Sequence, residues 1–221
     1  MNKIYLMDCM EYMKDLPDNA FELAIVDPPY GIGDFNSSKS KHSKITWNEN
    51  IPDERYFAEL NRVSKNQIIW GANYYGIKGG RIIHDKLGSA TQVQSATLSD
   101  ADIAYQSFNN LIKIFRYTWK GNIHGNKVVW GEKKIHPCEK PIALYKWLLK
   151  NYAKPGDKIL DTHIGSGSIR IACHDMGFDL TGCELDKDYF DAQEARFQNH
   201  ISQADLFGAD EMQNLIFKDK A

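Results

Sequence analysis

The residues Asp27-Pro28-Pro29-Tyr30 follow directly on the apolar run Phe21-Glu22-Leu23-Ala24-Ile25-Val26 and combine a carboxylate, two prolines and an aromatic ring. Proline has no backbone N–H and stiffens the chain, so the Asp27 carboxylate and the Pro28 carbonyl face one spot as acceptors, with the Tyr30 ring alongside. Two acceptors and a ring suit a planar group bearing an amine. A second constellation, Asp161-Thr162-His163-Ile164-Gly165-Ser166-Gly167, follows the short apolar run 158–160. Its glycines let the backbone approach a ligand, and a helix beginning there presents its N-terminus. A dinucleotide loop would read Gly-x-Gly-x-x-Gly, but the third position is Arg170, which weakens a dehydrogenase reading. Glu184 closes the next apolar run about 20 positions on, where an acid takes a ribose diol in nucleoside-binding sheets. Two acids flanking a glycine turn fit a nucleoside cofactor with a positive centre.

Such side chains need strand ends to hold them. Residues 3–7, 21–26 and 67–70 read as short apolar strands, with helical patterns over 9–16 and 53–63 between them. Further on come a helix over 141–152, with Pro141 in its first turn and Ile142, Tyr145, Leu149 and Tyr152 on one face, and a strand over 158–160. A helix follows the glycine turn, with Ile169, Ala172, Cys173 and Met176 at i, i+3, i+4, i+7; then come a strand over 180–183 and a helix over 186–201 with Asp186 as N-cap. This alternation predicts an α/β fold, a mostly parallel doubly wound sheet. The middle, 79–134, carries β-rich stretches at 103–108 and 112–119 and reads as the far sheet edge plus a small inserted recognition region, bounded at 85–135.

The 221 residues suffice for one globular domain without disulfides, and 27 Lys+Arg against 29 Asp+Glu exclude a polybasic protein. A nucleic-acid enzyme is not excluded, because binding depends on local field. The Ser-rich segment at 34–50 carries Lys39, Lys41 and Lys44 and reads as a mobile basic loop. Between 113 and 134 the cations Lys113, Arg116, Lys120, Lys127, Lys133 and Lys134 face only Glu132 and are interleaved with Phe115, Tyr117, Trp119 and Trp130, a mix that suits phosphates and bases. Cys9, Cys138, Cys173 and Cys183 match neither a zinc nor a redox spacing, so reduced thiols and no metal are expected. No apolar run approaches the roughly 18 residues of a membrane span, and the start lacks a secretory layout, so the expected location is the cytoplasm.

The motifs carry a resemblance. Asp27-Pro28-Pro29-Tyr30 resembles the catalytic motif of S-adenosylmethionine-dependent amino-methyltransferases, His136-Pro137-Cys138-Glu139-Lys140-Pro141 is similar to that family's His-Pro-x-x-Lys-Pro element, and residues 161–167 resemble its cofactor loop. Catalytic motif first and cofactor loop last is the circularly permuted order of the beta class; the short form is similar to phage or prophage enzymes. The resemblance covers residues 4–33 and 136–197, with a fainter echo at 61–71. It implies a Rossmann-like methyltransferase fold and a residue-by-residue role: Asp161, Gly165, Ser166 and Gly167 around the methionine part of S-adenosylmethionine, with Lys140 and Pro141 completing that end. Glu184 falls to the ribose hydroxyls, Asp8 with Cys9 to the adenine edge, and Asp27 with the Pro28 carbonyl to the target amine. Tyr30 stacks on a base flipped from double-stranded DNA. Asp at position 27 is the form typical of enzymes acting on the adenine N6 amine. The cofactor loop departs from the family's Asp-Pro-Phe at Thr162 and His163, which points to a weaker or pH-sensitive cofactor site if the imidazole packs there.

Rival readings are the cytosine N4 amine, an RNA target, a catalytically silent nucleic-acid-binding subunit, and a covalent mechanism through Cys138; the last leaves the Asp27 turn without a task. Expected partners are DNA and, left open, a second copy of the chain or a cognate nuclease or specificity subunit.

Overall fold

In the computed structural model the apolar runs at Phe21–Val26 and Lys158–Asp161 lie side by side at the centre of a sheet. Residues 2–32, 50–88, 99–120, 123–124, 127–128, 135–136 and 138–207 are described; the expected basic loop with Lys39, Lys41 and Lys44 lies outside them, as do Lys133, Lys134, Trp130 and Pro137. In chain order the elements are β1 (Lys3–Leu6), α1 (Cys9–Lys14), β2 (Phe21–Val26), α2 (Glu54–Val63), β3 (Ser64–Trp70), α3 (Ala72–Tyr75), β4 (Gly80–Asp85), β5 (Ala101–Gln106) and β6 (Ile112–Arg116). There follow β7 (Trp119–Lys120), β8 (Ile123–His124), β9 (Lys127–Val128), α4 (Ile142–Tyr152), β10 (Lys158–Asp161), α5 (Ser168–Met176), β11 (Asp179–Glu184) and α6 (Lys187–Phe207).

The main sheet has the order β1-β11-β10-β2-β3-β5-β4-β6, and β7, β8 and β9 form a small antiparallel sheet. The five strands from β1 to β3 run parallel, β5 is antiparallel to both its neighbours, and β6 returns parallel to β4. The expected mostly parallel α/β sheet is present. It is doubly wound because its central strands are apolar on both faces. Leu23, Ile25, Ile68, Trp70 and Ile159 face α4 and α5 in one buried cluster, while Ala24, Val26, Ile69 and Leu160 face α1 and α2 in the other. Each fully buried Leu, Ile or Val contributes about 1.5–3 kcal/mol by leaving water, which ties both helical layers to the strands that carry the site.

Local sequence sets the helix starts. Asp53 caps α2 by accepting from the Arg55 and Tyr56 amides at 3.0 and 3.2 Å, and Tyr56, Leu60 and Val63 then share its buried face. Asp186 caps α6 as expected, accepting from the amides of Asp188 at 2.8 Å and Tyr189 at 3.2 Å. Two expectations are corrected. The buried face of α4 is Leu144, Tyr145, Leu148 and Leu149, with Ile142 and Tyr152 only partly covered. The middle region holds β4 in addition to the two expected stretches, because Arg81 and His84 interrupt an apolar pattern whose alternate residues, Gly80, Ile82 and His84, are buried.

Candidate active site

The chain leaves β10 through α5 towards β11 and leaves β2 through α2 towards β3, so the two connections diverge and open a crevice over the carboxyl ends of β10 and β2. Four acids sit on four consecutive strand ends beside it: Asp8 after β1, Glu184 at the end of β11, Asp161 at the end of β10 and Asp27 after β2.

The Asp27 turn is held from three sides. The Tyr30 hydroxyl donates to Asp27 Oδ1 and the Lys140 ammonium to Oδ2, while Lys140 Nζ also lies 3.1 Å from the Tyr30 hydroxyl. Lys140 is 5% exposed, and its Nζ stands 5.2 Å from the centroid of the Trp70 ring. Burial opposes its charge, but Asp27 and Asp102 outweigh that and hold Lys140 above the usual lysine range. The Tyr75 hydroxyl donates to the Pro28 and Pro29 carbonyls at 2.7 and 2.9 Å, fixing the direction of both. Tyr30 stacks on Tyr74 with centroids 5.0 Å apart and planes 15° from parallel. Gly71, at φ 81°, makes this fit possible, since a Cβ there would overlap the Tyr30 ring and the left-handed backbone disfavours any other residue.

The glycine turn lies next to this. Asp161 is 2% exposed, its Oδ1 accepts from the His163 amide at 2.9 Å, and it has no ion-pair partner among the described residues. Burial, reinforced by Asp27 and Glu184, pushes its pKa up to about 8. Glu184 accepts from the Gly165 amide at 2.8 Å and the Asp186 amide at 2.9 Å, and burial raises it too. Gly167, at φ 72°, starts α5 against Gln193, and Ser166 is buried beside it. Asp8 Oδ1 caps α1 through the Met10 amide at 2.7 Å, and burial pushes the adjacent Cys9 thiol up to about 12. Pro141 starts α4. His163 meets Tyr56 edge to face at 5.5 Å, and burial lowers its pKa to about 4. Burial thus favours the neutral imidazole.

The structure thus brings Asp27, Tyr30, Lys140, Asp161 and Glu184 to one crevice. Lys140, grouped by resemblance with the methionine end, has its ammonium on the Asp27 turn. Tyr75 and Tyr56 escaped the sequence reading; the aromatic pair Tyr74-Tyr75 just past the end of β3 was the available signal for the first. Burial, followed by the charge on Asp27, pushes the Cys138 thiol up to about 11, so it is not a thiolate at neutral pH.

The cations divide. Lys113 is exposed on β6, and Arg116 is exposed with its guanidinium 3.7 Å from Asp85. Lys120 is corrected: it is 3% exposed with its ammonium on Asp100, so its charge is committed inside the protein rather than offered to a phosphate. The backbone of Lys127 lies in β9; its side chain is outside the described residues.

Residues 90–195 match the N6_N4_Mtase family, described as DNA methylase. The chain is similar to the type II methyltransferase M1.MboII of Moraxella bovis, 22% identical over 86% of this chain and 94% of that one. It is also 23% identical to the putative methylase YubD of Escherichia coli K12, over 89% and 90% of the two chains. Among solved structures, the M1.HpyAVI–SAM complex superposes with a TM-score of 0.56 at 20% identity, covering 89% of this chain and all of that one. A structure titled PvuII DNA methyltransferase (cytosine-N4-specific) gives 0.57 at 12% identity, covering 89% and 86%. The fold is the Rossmann-like fold of S-adenosylmethionine-dependent methyltransferases. The likeness in sequence is to the DNA methylases of the N6/N4 family over residues 90–195 and to a type II methyltransferase over most of the chain.

Proposed function

We propose that this chain transfers the methyl group of S-adenosylmethionine to the N6 amine of adenine in double-stranded DNA, on a base flipped into the crevice. The observation that carries the reading is the placement of the Asp27 turn one strand away from Asp161, a buried acid with no ion-pair partner among the described residues. The donor set fits the cofactor: among the described residues Asp161 and Glu184 have no ion-pair partner, as suits a ligand that brings a positive centre and a ribose diol, and α5 begins at the same turn. Asp161, His163, Gly165, Ser166 and Gly167 would hold its amino-acid end, Glu184 its ribose, and Asp8 and Cys9 its base. When bound, the cofactor supplies an electrophilic methyl group on a sulfonium sulfur.

Everything else falls to the chain. The adenine amine is a poor nucleophile because its lone pair is delocalised into the ring. Asp27 and the Pro28 carbonyl accept its two hydrogens and push electron density back onto nitrogen. In the free protein Tyr30 and Lys140 already bond Asp27, so its carboxylate is oriented before the amine arrives. Tyr75 occupies one lone pair of the Pro28 oxygen and leaves the other for the amine. Such preorganised acceptors and in-line alignment do the work; no covalent intermediate on the chain is needed. Tyr30 supplies a stacking ring that offsets part of the few kcal/mol spent on flipping.

The order of the Asp27 turn and the glycine turn along the chain supports the beta-class arrangement, and Asp at position 27 supports adenine. Residues 85–135 and the loop at 34–50 are assigned to DNA, with Lys113 and Arg116 as the exposed cations. The cytosine N4 amine is the second reading, favoured by the superposition on a cytosine-specific enzyme. The deciding experiment incubates the protein with S-adenosylmethionine and mixed-sequence DNA and identifies the methylated nucleoside after digestion. N6-methyldeoxyadenosine is expected; N4-methyldeoxycytidine alone would move the reading to cytosine, and no product at any salt concentration would reject it.

A further inference from the structure

At the mouth of the glycine turn, three side chains from two elements form a hydrogen-bonded row. The Tyr56 hydroxyl, on α2, is 2.6 Å from Thr162 Oγ1, and Thr162 Oγ1 is 2.9 Å from His163 Nδ1. Tyr56 and Thr162 are buried, at 3% exposure each, and neither hydroxyl has another hydrogen-bond partner among the described residues. Burial fixes the direction of the protons. A buried phenol proton left without an acceptor costs about 1–3 kcal/mol, so Tyr56 donates to Thr162. Thr162 then has its own proton to place, and the remaining partner is His163 Nδ1, which must accept it. A neutral imidazole that accepts at Nδ1 carries its proton on Nε2.

We infer that Tyr56 and Thr162 lock His163 as the Nε2–H tautomer, so that His163 donates a hydrogen bond to an acceptor atom of the bound cofactor. Nε2 is suited to this: it has no protein partner among the described residues, and His163 is only partly buried. The ring is also held in orientation, edge to face on Tyr56 at 5.5 Å and 71°. Its lowered pKa, caused first by burial, keeps the imidazole neutral, so the donor brings no charge that would oppose a sulfonium. Tyr56 and Thr162 act through His163 and are positioning residues. A phenyl ring at position 163 would preserve packing but offer no donor, so the departure at Thr162-His163 exchanges an apolar contact for a polar one supported from behind.

The inference rests on the cofactor reading, and two measurements separate them. Nitrogen-15 spectra of histidine-labelled protein without cofactor should show His163 with a protonated Nε2 and a bare Nδ1. Tyr56→Phe should blur that signature by freeing the Thr162 hydroxyl, Thr162→Val should lose it, and Thr162→Ser should retain it. Calorimetric titration with S-adenosylmethionine should give a Kd about three- to tenfold weaker for His163→Phe, the range of one neutral hydrogen bond, with Tyr56→Phe shifted less in the same direction. A proton on Nδ1 in the wild type, or an unchanged Kd for His163→Phe beside normal wild-type binding, overturns the inference. A wild-type protein that binds no S-adenosylmethionine overturns the cofactor reading and, with it, the ligand assigned to Nε2–H.

Discussion

Acids on the two sides of the sheet live under opposite conditions. From β1 to β10, Asp8, Glu184 and Asp161 are held by backbone amides alone, without a cation beside them among the described residues, and burial raises Asp161 and Glu184. From β5 to β6 the acids have partners: Asp102 is 2.9 Å from the Lys86 ammonium, Asp85 is 3.7 Å from Arg116, and Asp100 binds Lys120. Burial works against the Asp102 charge, yet Lys140 and Lys86 outweigh it and hold its pKa below the usual range. The outer half pairs its acids internally, as a scaffold does. The inner half holds acids whose ionised form burial disfavours, and a ligand that brings a cation would favour that form. Asp27 stands on the boundary and borrows Lys140.

Removing the boundary residue should have the largest effect. Asp27→Ala should lower the methyl-transfer rate by roughly 10²–10³-fold while leaving S-adenosylmethionine affinity largely intact. It also strands the Lys140 ammonium, so unfolding stability should fall by about 3–5 kcal/mol; Asp27→Ala with Lys140→Met should recover stability and not activity. Recovery of activity by the double variant would mean that the pair is a scaffold contact like those of the outer half.

Acidity separates the halves next. The folded protein keeps the Asp161 proton up to about pH 8, whereas an unfolded chain releases it near 4, so this group lowers stability as pH rises between those values. A cationic ligand prefers the ionised acid, so its Kd should tighten by up to about tenfold per unit from pH 6 to 8 and then level off, with proton release on binding. Asp161→Asn should weaken binding and flatten the profile; a flat wild-type profile would remove the contrast. Asp102 has the opposite sign: its lowered pKa contributes stability above the ordinary carboxylate range that is lost as pH falls through the folded value. Asp102→Asn should therefore cost about 1–3 kcal/mol in urea unfolding at pH 7 and much less in acid.

The smallest effect concerns the outer cations. Lys113→Ala should reduce the salt slope of DNA binding by about one unit, and Lys120→Ala should leave that slope unchanged because its ammonium is engaged with Asp100. A reduced slope for Lys120→Ala would show that the Asp100 pair opens on DNA.

The inner half was readable because its cues are local. Continuous apolar runs announce β2 and β10, Asp53 and Asp186 mark helix starts, and the Asp27 and glycine turns are contiguous in the chain. The outer half was harder: β4 hides behind Arg81 and His84, and whether Lys113 or Lys120 faces solvent depends on strands far apart in sequence. Asp8 had a local meaning that was passed over, since it stands immediately before the helical pattern of α1 and caps it.

The sequence by itself determined the parallel α/β alternation, the strand-end acids, the Asp27 turn and the glycine turn, because periodicity, proline stiffness and glycine permissiveness act over a few residues. The tertiary structure decided which charges are paired. Lys140 reaches Asp27 across 113 positions and Tyr56 reaches Thr162 across 106, and such meetings depend on strand order and helix packing. That pairing gives the acids of one half of the sheet cation partners and leaves Asp8, Glu184 and Asp161 without an ion-pair partner among the described residues.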